Sequence, residues 1–280
     1  MEDVAIIGVG QSAFSRNCGM RITELCFEAF REAMEGLDLR PDQIDASIVC
    51  SSMYDPQRSC EATIADYLGL PPRPTFLIEN ACAESTTGVK VAWSLIKSGL
   101  HRVVAVLGVE KMSGQTSREV AEMMGRMYDV TWESAFGLTM PAGYALHARA
   151  YMAKYGATEE HLAKVRVKNS FYGSKNPKAT YRKALSLEEI LSSTMIASPL
   201  KLYDCCANAD GSSCVILAAA DVARAVTPKP IWIMGIGSGS DAQVAGRESL
   251  TSLRCARVAA AQAYEMAGVG PGDIDIAEVH

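Results

Sequence analysis

The sequence has no long basic block and no long uninterrupted apolar run. Its 27 Lys and Arg stand against 32 Asp and Glu, for a formal net charge of −5, which argues against the basic surface typical of nucleic-acid-binding domains. Charges or prolines interrupt every apolar stretch before the roughly 18 residues that a membrane-spanning helix needs. The acidic start MEDVAIIGVG leads straight into a strand pattern and lacks the basic region of a signal peptide. We therefore expect a cytoplasmic protein that binds neither nucleic acid nor membrane.

Closely spaced cysteine pairs of the kind that bind zinc are also missing. None of the nine cysteines forms a C-x-x-C pair, and only Cys205 and Cys206 are adjacent, so the sequence predicts no metal site. In a reducing cytosol we expect most cysteines to pack as small hydrophobic residues. The glycines of GVG and GIG lack a full dinucleotide fingerprint, so no Rossmann cofactor is predicted.

Short β-branched runs alternate with amphipathic stretches in the first part of the chain. Strand patterns at VAIIGVG, IDASIVCS, TFLIEN and HRVVAVLGVEKMS are separated by helical patterns at 22–36, at IADYLGL and at 81–98. With 49% hydrophobic residues, 280 residues can bury a large core. The alternation predicts an α/β fold with a mostly parallel sheet covered by helices on both faces.

A methionine-rich segment interrupts this alternation between Ser113 and about Pro199. Its first part looks irregular, helices are predicted at 142–155 and after Thr158, and SFYGSKNPKATY is predicted as a polar and aromatic loop. The strand pattern resumes at GSSCVILAAA. Long insertions of this kind usually shape a binding site, and we expect this one to lie over one end of the sheet.

The chain after the insertion repeats its beginning. VAIIGVGQS at 4–12 matches IWIMGIGSG at 231–239 with an offset of 227, and RPDQIDASIVC at 40–50 matches GPGDIDIAEVH at 270–280 with an offset of 230. An alanine-rich helical pattern at 252–268 lies between the matches, where the first copy also has a helix. Strand, helix, proline turn and strand in one order predict a duplicated α/β unit.

These patterns divide the chain into three parts. Residues 1–112 and 200–222 form the first α/β half, residues 113–199 form an inserted loop domain, and residues 228–280 begin a second half. The second copy stops at its second strand, and about 100 further residues would supply the remaining strands and helices. We therefore expect the natural protein to be longer than 280 residues.

Cys82 is the cysteine whose position favours chemistry. In IENACAESTTGVKVAWSLIKSG the strand pattern ends at Glu79 and Asn80, and Cys82 follows at or just inside the first turn of a helix. Unpaired N–H groups and the helix dipole favour an anion there, so we expect the turn to stabilise a thiolate. The corner also exposes the side chain at the carboxyl end of the sheet, where α/β proteins bind ligands. A buried structural cysteine is the alternative interpretation.

Several segments are similar to motifs of one enzyme family. ENACA is similar to a nucleophilic-cysteine motif, VAIIGVGQSAF to an opening strand, GVEKMS to the strand after the cysteine helix and DCCANADGSS to the return to the sheet. GLTMPAGYALHARAYMAKYG and VKNSFYGSKNPKA are similar to a loop domain. Together they resemble the thiolase superfamily, in particular thiolases of the sterol-carrier-protein-X type. The resemblance implies duplicated βαβαβαββ units in a layered α-β-α-β-α architecture, with the second copy incomplete in this chain.

The resemblance also implies an activity and its residues. An acyltransferase of this kind cleaves a 3-ketoacyl-CoA thiolytically, or forms one by Claisen condensation, through an acyl-cysteine intermediate. Cys82 would be the nucleophile, and His280 would help hold an oxyanion. A second histidine and a second cysteine would lie beyond residue 280. Coenzyme A would be the co-substrate, with no permanently bound cofactor. A homodimer core and a small zinc-ribbon/OB-fold partner subunit are implied as well.

Two features depart from the family's pattern. Glu84 stands in the first helical turn, and its carboxylate would raise the pKa of the Cys82 thiol if the two came close. VKNSFYG carries Phe171 and Tyr172 and lacks the histidines often found there. With Met140, these side chains are expected to line an apolar or aromatic pocket, which suggests a bulky acyl chain such as that of benzoylsuccinyl-CoA in aromatic degradation. Ordinary core packing or a dimer contact is the alternative.

Other functions stay open at this point. A retro-aldolase of the same superfamily, which cleaves side-chain CoA esters, would dispense with a nucleophilic cysteine. A non-catalytic subunit would bind acyl-CoA and await a partner. Ketosynthases and hydroxymethylglutaryl-CoA synthases share the superfamily but surround their cysteine differently.

The duplicated unit makes a first testable prediction. We expect the protein from its natural source to have an intact mass well above the 30.0 kDa of these 280 residues, because the second unit needs further strands and helices. Mass spectrometry of the purified natural protein measures this directly. A value near 30.0 kDa would contradict the expectation.

Overall fold

A computed structural model describes residues 3–52 and 57–279 of the chain. The first half alternates strands and helices as its patterns predict. Its elements are β1 (Val4–Gln11), α1 (Ile22–Met34), β2 (Ala46–Cys50), α2 (Cys60–Tyr67), β3 (Thr75–Ile78), α3 (Glu84–Lys97) and β4 (Val103–Glu110).

The insertion follows β4 and the chain then returns to the sheet. The insertion contains α4 (Ser117–Gly125), α5 (Met140–Tyr155), α6 (Glu159–Lys175), α7 (Leu187–Leu191), β5 (Met195–Ala197) and β6 (Leu200–Lys201). After it come β7 (Gly211–Ala219), α8 (Ala220–Val226), β8 (Ile231–Trp232) and α9 (Arg254–Ala267). The limits of the three predicted parts, 1–112 with 200–222, 113–199 and 228–280, stay a prediction.

Six strands form one sheet in the order β3-β2-β4-β7-β1-β8. β2 is parallel to β3 and β4, whereas β7 is antiparallel to β4 and β1, and β8 is antiparallel to β1. The α/β fold is confirmed, but the mostly parallel sheet was wrong and is corrected to a mixed one. The insertion brings the chain back beside the end of β4, so β7 has to run in the opposite direction.

The elements outside the insertion form one βαβαβαββ unit, which consists of β1 to β4, the intervening helices α1 to α3, and β7. Helices cover both faces of its sheet. On one face, Leu25 and Phe30 of α1 and Ile64 of α2 belong to a buried cluster that also includes strand residues. On the other, Ala92 and Ile96 of α3 pack in a second buried cluster. Every residue of β2 is buried because the strand lies in the interior of the sheet between these layers.

Two glycines bring β1 into direct backbone contact with α1. A Cβ atom on Gly8 would fall on the carbonyl oxygen of Ala33, and one on Gly10 would fall on the carbonyl oxygen of Ala29. A helix can approach a strand this closely only where the strand has no side chain and the helix has small ones. The contact fixes how α1 lies on the sheet.

The same contact recurs after the insertion. A Cβ atom on Gly235 would fall on the carbonyl oxygen of Ala263, and one on Gly237 on that of Ala259. The glycines correspond to those of β1 with an offset of 227, and the alanines to those of α1 with an offset of 230. The duplication is therefore visible in matching backbone contacts as well as in the matching sequence.

The second copy forms fewer strands than its sequence pattern predicts. Of IWIMGIGSG, only Ile231–Trp232 pairs as a strand, and within 57–279 the segment 274–279 forms no strand. A strand exists through hydrogen bonds to a neighbour. Among the described residues, no strand pairs with the rest of IWIMGIGSG after Trp232 or with 274–279.

Two predictions within the insertion are also corrected. The methionine-rich start contains α4, which begins at a capping box: Thr116 Oγ1 accepts the Glu119 N–H at 3.2 Å, and the Glu119 carboxylate accepts the Thr116 N–H at 2.7 Å. The expected loop at SFYG is the last part of α6, which continues to Lys175; the next residue, Asn176, is extended because Pro177 disfavours the helical conformation there. Within 3–52 and 57–279 no helix is long and apolar enough to cross a membrane.

The contact between β1 and α1 gives a stability prediction. Gly10→Ala should lower the free energy of unfolding by about 2 kcal/mol or more, because the added methyl group collides with the backbone of Ala29. Urea denaturation measures the change. Gly272→Ala is the matched control, since a Cβ atom there meets no atom within 4 Å. Equal midpoints for the two variants would contradict the prediction.

Candidate functional site

Cys82 lies on a turn between β3 and α3. Residues Ala81–Ala83 form one turn of 3₁₀-helix, and the α-helix proper begins at Glu84. Ala81 has a φ of 45°, a left-handed conformation that residues with a side chain rarely adopt. The turn presents Cys82 at the carboxyl end of the parallel strands, with its side chain exposed. The predicted position is confirmed, and the alternative of a buried structural cysteine is excluded.

Side-chain hydrogen bonds hold the turn in shape. Glu79 Oε1 accepts the Ala81 N–H at 3.0 Å, and Asn80 Nδ2 donates to Thr87 Oγ1 at 2.8 Å. Thr87 Oγ1 in turn donates to the Ala83 carbonyl at 2.9 Å. The turn is thus connected both to the end of β3 and to the first turn of α3, which fixes the direction of the Cys82 side chain.

Two glycines place the start of α3 close above the sheet. A Cβ atom on Gly88 would lie 2.5 Å from Cys50 Sγ, and one on Gly108 would lie 2.6 Å from Ser85 Oγ. Either side chain would push the helix away from β2 or β4. The glycines therefore set the height of the Cys82 turn above the ends of these strands.

The electrostatic environment of Cys82 does not favour its thiolate. Partial burial of the sulfur raises the pKa of the Cys82 thiol, and a Cys206 thiolate and the Glu84 carboxylate raise that pKa further. A hydrogen bond from the backbone N–H of Cys82 acts in the opposite direction and is outweighed. The backbone N–H therefore acts in the expected direction, but the net pKa of the Cys82 thiol is raised, and the effect of Glu84 has the predicted sign.

Cys206 is a neighbour of Cys82 that sequence reasoning missed. It is exposed in the loop between a 3₁₀ turn at Leu202–Asp204 and β7. The available signal was its polar context, DCCANAD, which differs from the apolar strands around Cys50 and Cys214. Only four of the nine cysteines are buried, which corrects the expectation that most of them pack in the core. The buried cysteines are Cys26, Cys50, Cys60 and Cys214.

A buried carboxylate fastens the Cys206 loop to the end of β4. Asp210 is fully buried, and its Oδ1 accepts the N–H groups of Met112 and Ser113 at 2.9 and 2.8 Å. Lys111 Nζ lies 3.5 Å from Asp210 Oδ2. These bonds hold the loop beside the strand end and so keep Cys206 near the Cys82 turn.

Two tyrosines of the insertion approach the cysteines. Burial raises the pKa of Tyr144, and the thiolates of Cys82 and Cys206 raise it further. Burial also raises the pKa of Tyr128, and the charge on Cys82 adds a smaller contribution. The guanidinium of Arg247 lowers both values. The insertion therefore reaches the carboxyl end of the sheet, which confirms the expectation that it lies over one end.

α5 carries the contacts that orient this cluster. The Tyr128 hydroxyl rests on Gly143, where a Cβ atom would collide with it. One turn further, His147 Nδ1 lies 2.7 Å from the Leu250 carbonyl, and its Nε2 lies 3.3 Å from Arg247 Nη1. Gly143 and His147 share one helix face, which brings Tyr128 and Arg247 to neighbouring positions.

Glu133 connects the insertion to the segment after β8. Its side chain is 4% exposed, and its Oε2 accepts the Asp129 N–H at 3.1 Å. Its Oε1 accepts the Ala245 N–H at 2.7 Å. A buried carboxylate with two backbone donors fixes two loops at once, so the chain after β8 is held against the same end of the sheet.

The other residues predicted for the site lie on α5, on α6 or outside the described residues. Met140 begins α5, the helix that carries Tyr144. Phe171 and Tyr172 lie on α6, both exposed, with ring centroids 5.3 Å apart. Among the described residues, no ring contact or electrostatic interaction joins this pair to Cys82. His280 lies outside the described residues.

Comparison with known proteins decides the family. A family model described as the thiolase N-terminal domain matches residues 4–221. The chain belongs to the thiolase family. This thiolase chain is 35% identical over 284 residues to an acetyl-CoA acetyltransferase of Methanothermobacter thermautotrophicus, covering all of this chain and 74% of that relative. The predicted enzyme class, an acyltransferase of thiolase fold, is confirmed.

Two further similarities concern relatives with other names. The chain is 29% identical over 283 residues to the benzoylsuccinyl-CoA thiolase subunit BbsB of Thauera aromatica, covering 99% of this chain and 71% of that relative. Among solved structures, the Ltp2-ChsH2(DUF35) aldolase superposes with a TM-score of 0.83 at 27% identity, covering 97% of this chain and 71% of the other.

The pair of thiols leads to a prediction on reactivity. Cys206→Ser should lower the pKa of Cys82, because it removes a neighbouring thiolate charge. We expect alkylation of Cys82 by iodoacetamide at pH 9 to accelerate roughly two- to fivefold. Peptide mass spectrometry follows the rate over pH 7–10. Cys255→Ser, in the first turn of α9, is the control and should leave the profile unchanged; an unchanged profile in Cys206→Ser as well would disprove the coupling.

Proposed function

We propose that this chain transfers an acyl group through a thioester on Cys82. The reaction is the thiolytic cleavage of a 3-ketoacyl-CoA, or its formation by Claisen condensation, with coenzyme A as co-substrate and no permanently bound cofactor. The observation that carries the proposal is the exposed cysteine on the Ala81–Ala83 turn in front of α3. Membership of the thiolase family supports it. A cytoplasmic location stays a prediction.

In thiolysis, Cys82 Sγ attacks the ketone carbon of the 3-ketoacyl-CoA. The resulting oxyanion collapses, the Cα–Cβ bond breaks, and its electron pair leaves with the enolate of the departing acyl-CoA, which then takes up a proton. The N–H groups at the start of α3 favour negative charge near the turn. Because the pKa of Cys82 is raised, the attack needs a base to take the thiol proton. Coenzyme A thiolate then attacks the Cys82 thioester and removes the acyl group.

We propose a bulky or aromatic acyl chain, such as that of benzoylsuccinyl-CoA. The similarity to BbsB supports this substrate class, as does the approach of Tyr128 and Tyr144 to Cys82. Met140 remains a proposed acyl contact because it begins the helix that carries Tyr144. Phe171 and Tyr172 also remain proposed contacts of the acyl chain.

We propose a homodimer that binds a small zinc-ribbon/OB-fold subunit. β3 is at the edge of the sheet and exposes Phe76 and Leu77, and such an edge is suited to pairing with another strand. One relative is named a subunit, and the name of one solved structure couples Ltp2 with ChsH2(DUF35). Both names support a partner polypeptide. His280 is proposed to help hold the oxyanion.

Retro-aldol cleavage of a side-chain CoA ester is the second candidate. The TM-score of 0.83 to the Ltp2-ChsH2(DUF35) aldolase favours it. Such a reaction forms no acyl-cysteine, so Cys82 would be dispensable. A non-catalytic acyl-CoA-binding subunit would likewise carry no covalent acyl group.

Covalent labelling tests the proposal. After mixing with acetyl-CoA, benzoylsuccinyl-CoA and other acyl-CoAs, the full-length protein should gain an acyl mass that maps to the Cys82 peptide. Cys82→Ser should abolish the gain and lower turnover by at least about 10³-fold, whereas Cys206→Ser should retain the label. Aldol cleavage unaffected by Cys82→Ser would favour the aldolase, and neither label nor turnover would favour a binding subunit.

A further inference from the structure

Three polar side chains meet beneath the nucleophilic turn. Ser52 lies just beyond the end of β2, Glu110 is the last residue of β4, and Glu84 is the first residue of α3. The Ser52 N–H donates to Glu110 Oε1 at 2.6 Å, and the Ser52 hydroxyl donates to Glu84 Oε2. The two carboxyl groups also hydrogen-bond each other. Two acids and one serine therefore form a closed cluster.

Glu84 is 8% exposed, which is unusual for an acid. In the described ranges 3–52 and 57–279, no lysine or arginine forms an ion pair with it. Two ionised carboxylates in contact would repel each other strongly, and a hydrogen bond between them requires one to keep its proton. Burial, together with the charges of Glu110 and Glu79, raises the pKa of Glu84 to about 7, against a smaller opposing effect of the Ser52 hydroxyl.

This cluster is next to the nucleophile. Glu84 follows Cys82 by two residues, and its negative charge raises the pKa of the Cys82 thiol. On the other side, burial and then the charge of Glu84 raise the pKa of Cys50 to about 12. The titratable groups that face Glu84 are thus Cys50 of β2, Glu79 after β3, Glu110 of β4 and Cys82 on the turn.

We propose that Glu84 and Glu110 hold one proton between them against Ser52, and that loss of this proton to solvent restrains the ionisation of Cys82. Glu84 is a positioning residue in this scheme, since it acts through the cysteine. The inference rests on the proposed role of Cys82 as the nucleophile. The site then contains a second titrating group besides Cys82. Above neutral pH the carboxyl pair has lost its proton, and its added negative charge opposes the formation of the Cys82 thiolate.

The pH profile of Cys82 alkylation tests this in the full-length protein. Iodoacetamide is applied at pH 5.5–9.5 without acyl-CoA, and the Cys82 peptide is quantified by mass spectrometry. Glu84→Gln keeps the shape of a neutral carboxyl group but cannot ionise. We expect the variant to react roughly three- to tenfold faster than the parent at pH 8 and almost equally at pH 6.

Two neighbouring substitutions should move the inflection of the parent profile in opposite directions. Ser52→Ala removes the donor that favours the Glu84 carboxylate, so the inflection should move to higher pH. Glu110→Gln removes the repelling charge, so it should move to lower pH. General loosening of the turn does not produce opposite shifts. Glu188→Gln, an exposed acid on α7, is the control and should leave the profile unchanged.

Superimposable profiles of Glu84→Gln and the parent would overturn the proposal, as would shifts of one sign in the Ser52 and Glu110 variants. If Glu84→Gln does not fold, as judged by circular dichroism, those two variants decide alone. Because no acyl-CoA is present, a negative result leaves the acyl-labelling test of the thiolase reaction unaffected. A negative acyl-labelling result likewise leaves this test unaffected, because alkylation still measures the titration of Cys82 in a protein that takes up no acyl group.

Discussion

The close contact between α3 and the sheet determines the rest of the site. Gly88 allows the helix to touch Cys50 of β2, and Gly108 of β4 leaves room for Ser85. A helix at this height brings its first residue, Glu84, down among the strand ends and lifts the preceding turn into solvent. The exposure of Cys82 and the burial of Glu84 therefore both follow from the same close packing of α3 on the sheet.

The carboxyl end of the sheet is rich in acids, although the proposed reaction uses a thiolate anion there. Glu79, Glu84 and Glu110 all lie there, and the carboxylate of each accepts a hydrogen bond. The pKa of the Cys82 thiol is accordingly raised. The dipole of α3 acts in the opposite direction but is screened and short in range. Charge around this turn therefore favours the neutral thiol, and ionisation is left to the reaction cycle.

The sequence contained enough to predict the layers and the position of the nucleophile. Apolar periodicity defines β1, α1 and β2 because buried elements must show it. The capping box at Thr116 is a local pattern that predicts the start of α4, and Pro177, rather than the polar SFYGSK, marks the end of α6. Local sequence patterns are therefore sufficient to define both helices.

The neighbours of Cys82 could not be predicted in the same way. Cys206, Tyr128 and Tyr144 come from distant parts of the chain, and their approach depends on how the insertion folds back. The sign of the thiol pKa shift depends on summed distances and burial, which no local motif contains. The antiparallel direction of β7 likewise follows from the return of the chain.

The insertion leaves the sheet after Glu110 and returns at Gly211, and these two residues are partners in the β4–β7 ladder. Its ends are therefore held at one place by the sheet, whatever length of chain lies between them. Loop-closure entropy grows slowly with length, so such a segment can lengthen, shorten or be exchanged during evolution without moving the cysteine turn. The part of the chain that covers the Cys82 turn can in this way change while the turn itself keeps its place on the sheet.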